Sequence, residues 1–113
     1  MNLLQETVGK MAESGKSPDD VRWVGVLPSS LAPDMPAPVG SWAQFEGWAL
    51  DYNYDDGYGS AEVNPSLVIV GDDWWLERHE YDGSEWWEFK SLPTKPELTT
   101  PLRPSDLGIK HKR

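Results

Sequence analysis

The chain has 113 residues, 19 Asp and Glu against 10 Lys and Arg, seven tryptophans and no cysteine, for a formal net charge of −9. This length suits one domain around one core, and the acidic balance excludes a non-specific grip on DNA, RNA or anionic lipid, which needs Lys and Arg against phosphates. Without cysteine there is no disulfide framework, thiolate metal ligand or Cys nucleophile, and without an apolar run approaching about 20 residues the reading is a soluble, cytoplasmic protein.

At the start of the chain, Asn2 is placed to cap a helix. Leu4, Val8, Met11 and Ala12 recur at three- and four-residue spacing, Gln5 stands three residues after the cap, and Gly15 lies beyond the end. Ser17-Pro18-Asp19-Asp20 reads as a short capped turn, and the β-branched and aromatic run over 21–26 as a strand. Pro28, Pro33, Pro36 and Pro38 make 27–40 a surface loop. Ser41-Trp42-Ala43-Gln44 fits a capping box for one helical turn, and the alternation of Trp48, Leu50, Tyr52 and Tyr54 with Ala49, Asp51 and Asn53 predicts a strand over 47–54.

Leu67 to Val70 is a short apolar run of central-strand type, bounded by Pro65 and Gly71-Asp72. Segments 74–80 and 85–90 are joined through Tyr81-Asp82-Gly83-Ser84, a hairpin signal in which Asp-Gly supplies the positive φ of a tight turn. Pro93, Pro96, Pro101 and Pro104 then preclude regular structure, and the basic end, Ile109 to Arg113, reads as a mobile tail. The expected fold is a single α+β domain over 1–98. In it an N-terminal amphipathic helix packs on an antiparallel sheet of four or five strands, with a Pro-rich loop and a flexible basic tail over 99–113.

Charge and aromatic character coincide along the chain. Residues 43–89 carry twelve acids against Arg78 alone, a net −11, whereas 90–113 is net +4, and twelve of the thirteen aromatics fall within 42–89. The doublets Trp74-Trp75 and Trp86-Trp87 must each send one ring to either side of a sheet, because successive strand side chains point to opposite faces. A two-residue Asp82-Gly83 loop sets Arg78 opposite Trp87 and Leu76 opposite Phe89. That register gathers Trp74, Leu76, Trp87 and Phe89 on one face and Trp75, Glu77, His79, Trp86 and Glu88 on the other.

Candidates for catalysis are few. The histidines are His79, in the hairpin, and His111, in the tail; there is no Gly-x-Ser-x-Gly turn, no His pair for a metal and no phosphate-binding glycine loop. Carboxylates are too numerous for one pair to stand out as a glycosidase site. Asp51, Asn53, Asp55 and Glu62 follow a calcium-loop spacing, but the glycine needed at the sixth position is Asp56, with Gly57 one place late, so a solvated turn is the better reading. The chain therefore reads as a non-enzyme without metal or cofactor.

The expected activity is protein binding. Trp75, Tyr81 and Trp86 provide anchors, and Glu77, Glu88, Asp72, Asp73, Asp55 and Asp56 provide the field that draws in a basic partner. Such a partner is a toxin or a nucleic-acid-binding enzyme, and the chain acts as its immunity protein, antitoxin or phage-type inhibitor. The alternative is a carbohydrate or other small-ligand module in which the same tryptophans stack on sugar rings. Neither reading involves direct contact with nucleic acid or a membrane.

Overall fold

The computed structural model describes residues 1–28, 34, 36–55 and 61–108. Among these, five strands form one antiparallel sheet: β1 (Trp23–Val26), β2 (Val39–Gly40), β3 (Leu67–Val70), β4 (Trp74–Tyr81) and β5 (Ser84–Ser91), in the order β2-β1-β3-β4-β5. Helices α1 (Leu3–Glu13) and α2 (Trp42–Ala49) pack on one face, so the architecture is α+β, as the sequence predicts.

The β4–β5 hairpin has the register set by a two-residue loop: Arg78 opposes Trp87, Leu76 opposes Phe89, and Asp82 (φ 53°) and Gly83 (φ 88°) both lie in the left-handed region that such a turn requires. Trp74 and Trp87 are accordingly buried on the helix side, and each removes roughly 150–250 Å² from water. Trp74 stacks on Phe89 at 5.8 Å and lies across Gly71, where an added Cβ would stand 2.1 Å from the indole nitrogen.

Three expectations are corrected. Residues 47–54 do not form a strand. The Ser41 capping box starts a helix that continues to Ala49, because Phe45 and Ala49 fall four apart on its buried side. Beyond it, Leu3 N–H donates to the Tyr52 carbonyl and Tyr54 N–H to that of Met1, so 52–54 tie down the chain start instead of joining the sheet. The fifth strand is β2, which lies in the proline-rich loop. The third correction concerns α1, whose Asn2 cap accepts from Gln5 N–H but whose buried positions are Leu3, Thr7 and Met11; Val8 and Ala12 face solvent.

The face is set by Thr7. Its hydroxyl donates to the Leu3 carbonyl at 2.7 Å and accepts the indole N–H of buried Trp87 at 2.8 Å. Beside it lies a buried ionic network. The Arg78 guanidinium meets Glu85 at 3.0 Å, Glu6 at 3.2 Å and the Tyr54 hydroxyl at 3.2 Å, and lies 4.8 Å from the centre of the Trp87 ring. Glu85 also accepts from the backbone N–H groups of Glu62 and Val63, and Tyr54 donates to Glu6. Burial opposes the Arg78 charge, but these partners outweigh it and raise its pKa further; burial first, then Glu6, raises that of Tyr54. The network joins α1, the 52–54 segment, the 61–63 turn and the hairpin.

Candidate protein-docking face

Among the described residues, no helix packs on the other face of the sheet. Strand register arranges its side chains in rows: Trp23, Val70, Trp75 and Lys90 in one, Gly25, Val68, Glu77 and Glu88 in the next, then His79 beside Trp86, with Tyr81 at the hairpin tip. Trp23, Trp75 and Trp86 are half-buried and Tyr81 is exposed. The face thus has two halves. Trp23, Leu27, Val68, Val70 and Trp75 line an apolar groove of about 340 Å³; toward the hairpin tip lies an acidic half.

The acidic half is organised around Glu77 and Glu88, which oppose each other across β4 and β5. Like charges in that position repel, and neighbouring groups offset the repulsion. Trp75 Nε1 donates to Glu77 at 2.6 Å and Trp86 Nε1 to Glu88 at 3.2 Å. His79 Nε2 lies 2.6 Å from Glu77 and 3.5 Å from Glu88, and Lys90 Nζ is 3.3 Å from Glu88. All but the His79–Glu88 contact, which crosses from β4 to β5, lie between residues two apart on one strand, the spacing that returns side chains to the same face.

The contacts also set protonation. The Trp75 indole N–H, then His79, holds Glu77 below the usual carboxylate range; Trp86, then Lys90, does the same for Glu88. Each carboxylate side chain is about one-third exposed (33% and 34%), so a partner can reach both without displacing the sheet.

Of the residues singled out from the sequence, Trp75, Glu77, Tyr81, Trp86 and Glu88 share this face. Asp72 sits at its far end in a bidentate pair with Arg22, at 2.8 and 3.0 Å, and the Asp73 carbonyl accepts from Leu92 N–H. Asp55 is exposed and follows buried Tyr54, outside the sheet strands, and Asp56 lies outside the described residues. Of the calcium-loop spacing, Asn53 Oδ1 accepts from Asn2 and the Glu62 N–H donates to Glu85; among the described residues no group of His, Asp or Glu is arranged to hold a metal ion.

Sequence reasoning missed the apolar half, because Trp23, Val68 and Val70 come from strands whose pairing it did not assign. It also left Arg78 without a role. The signal was present: Arg78 is the one base of the acidic segment and shares strand parity with Trp74 and Leu76.

No helix among the described residues is long and apolar enough to cross a membrane. No protein-family model, curated protein or solved structure matches the chain.

Proposed function

We propose that this protein docks through its open sheet face on a basic protein, in the cytoplasm, and blocks that partner's anion-binding site. This is the action of an immunity protein, an antitoxin or a phage-type inhibitor of a nucleic-acid-handling enzyme. One observation carries the reading: two ionised carboxylates, Glu77 and Glu88, are fixed side by side between two half-buried tryptophans on a face that none of the described helices covers.

The physical argument has two parts. The opposed carboxylates present a compact negative charge where a phosphate-binding surface expects one, and the net −11 segment around them speeds encounter with a basic partner. Trp75 and Trp86 supply rigid area that loses little conformational entropy on binding, which slows release. Hydrogen bonds to Glu77 and Glu88 orient both rings before the partner arrives.

Capture of host proteins on the immobilised chain, at low and at high salt, tests the proposal. A basic protein retained at low salt and released as ionic strength rises supports it, since exposed charge pairs are screened. Retention of a glycan, indifferent to salt, would replace it with the sugar-stacking alternative.

A further inference from the structure

Strand β5 is an edge of the sheet, with one side of its backbone unpaired. The hairpin decides which groups face outward. Leu92 N–H donates to the Asp73 carbonyl and the two-residue loop closes on the Tyr81 and Ser84 pair, so the even-numbered residues of β5 bond to β4. The N–H and C=O groups of Trp87, Phe89 and Ser91 therefore point away from the sheet. No hydrogen bond among the described residues takes them up.

An open edge is a template for another strand, and proteins usually blunt it with proline, a bulge or a very short strand. The opposite edge is blunted: β2 has two residues and sits in the proline-rich loop. Strand β5 has none of these devices. It runs for eight residues without proline, and its pairing with β4 is one-to-one throughout. There is also space beside it. Gln5, Gly9 and Glu13 of α1, with Trp86 and Trp87, line a groove of about 370 Å³. Because Trp86 and Trp87 point to opposite faces, a groove that both border runs along the strand edge. Glycine is a poor helix former, and at Gly9 a Cβ would meet nothing within 4 Å. The helix wall is therefore low where a second strand would pass.

The sequence on this edge is complementary to itself. Glu88 and Lys90 flank Phe89, so in an antiparallel pair of β5 strands centred on Phe89 each Glu88 stands opposite the Lys90 of the second copy. Centring on Glu88 or on Lys90 sets like charges against each other, which repel. Centring on Trp87 leaves both charges without an opposite charge across the strands. In the Phe89 register Trp87 pairs with Ser91 and Phe89 with Phe89, which gives about six backbone hydrogen bonds. Leu92, 58% exposed in the single chain, comes opposite Trp86. Lys90 Nζ lies 3.3 Å from its own Glu88; in the pair it stands between two carboxylates, and the four charges alternate. We infer that two copies of this chain pair antiparallel through β5, in the register centred on Phe89, to form a dimer with one continuous sheet. The twofold axis runs through the sheet at Phe89, so the interface closes at two chains. This does not rest on the docking reading, because the open faces of both copies lie side by side and stay uncovered.

Each chain has a net charge of −9, so the test is made at about 0.15 M salt, where repulsion beyond roughly 8 Å is screened. Sedimentation of the full chain from micromolar to millimolar concentration is expected to show a reversible dimer. Amide hydrogen exchange followed by NMR reads the edge itself. The N–H groups of Trp87, Phe89 and Ser91 are expected to gain protection with concentration, whereas those of Trp86, Glu88 and Lys90 are bonded within the hairpin at every concentration. Glu88→Lys alone and Lys90→Glu alone each oppose like charges, and the dimer dissociation constant of each is expected to rise roughly tenfold or more. An equimolar mixture of the two variants sets opposite charges across the strands again and is expected to recover dimer formation. Ser91→Pro removes an outward donor, spares the bonds to β4 and is expected to weaken the dimer as well; circular dichroism checks that each variant keeps the fold. Three results would overturn the inference: a wild type that stays monomeric at millimolar concentration, a dimer in which the three outward amides exchange as fast as in the monomer, or charge variants that dimerise as well alone as mixed.

Discussion

Glu77 and Glu88 face each other directly across β4 and β5, and the indole N–H groups of Trp75 and Trp86 each donate to one of them. The repulsion that such a pair would ordinarily cause is offset by the aromatic side chains that give the face its contact area. Acidity and aromaticity, which coincide along the sequence, are therefore coupled atom to atom.

That coupling predicts a titration. With Trp75→Phe the donor to Glu77 is lost and the Glu77 pKa rises; Trp86→Phe does the same for Glu88. Carboxyl ¹³C NMR titration reads both. The sign for stability follows: carboxyls depressed in the folded state contribute above their unfolded value, near the 4.5 of a free Glu, and lose that contribution as pH falls through the lowered native value. Acid unfolding of either Phe variant should therefore show a weaker dependence on pH below that point.

Arg78→Ala is expected to lose about 3–5 kcal/mol in urea unfolding, because it leaves the buried Glu85 carboxylate without its guanidinium. The side chains of Arg78 and Glu85 are each 2% exposed, so solvent cannot take over the role. A loss below 1 kcal/mol, the size of a surface pair, would show that the two backbone donors to Glu85 suffice.

Gly71→Ala tests the seating of Trp74. A methyl group 2.1 Å from the indole nitrogen forces the ring or the backbone to move, at a cost of roughly 1–3 kcal/mol for an overpacked core site. The near-ultraviolet circular dichroism of Trp74 should change with it.

Thr7→Val removes the acceptor of the buried Trp87 indole while keeping the side-chain shape. An unpaired buried donor costs about 1–3 kcal/mol, measurable as a lower urea midpoint with an unchanged slope.

The hairpin was legible because its information is local. Asp82-Gly83 fixes a two-residue loop, the loop fixes the register, and strict alternation then sorts every side chain from Trp74 to Phe89 by face. What the sequence hid was non-local. The face of α1 was misread because Thr7 looks like a solvent position until its hydroxyl is seen to serve Trp87, 80 residues away. The alternation after Trp48 imitates a strand, but the Ser41 cap and the Phe45–Ala49 spacing had already committed the chain to a helix. Strand β2 has only two residues, too few for any periodicity, and its proline-rich setting marks an edge position. The docking face was read in its acidic half, which one hairpin supplies, and missed in its apolar half, which needs β1 and β3 alongside.

The central claim is that Glu77 and Glu88 carry recognition of a basic protein. The measurement that tests it most directly is capture of host proteins at low salt by wild type and by Glu77→Lys/Glu88→Lys, whose changes lie on a solvated face and spare the core. The account predicts that the variant loses at least tenfold in affinity for the partner that wild type retains, roughly the cost of placing two cations against a basic surface. Equal retention of that partner by both proteins would contradict it.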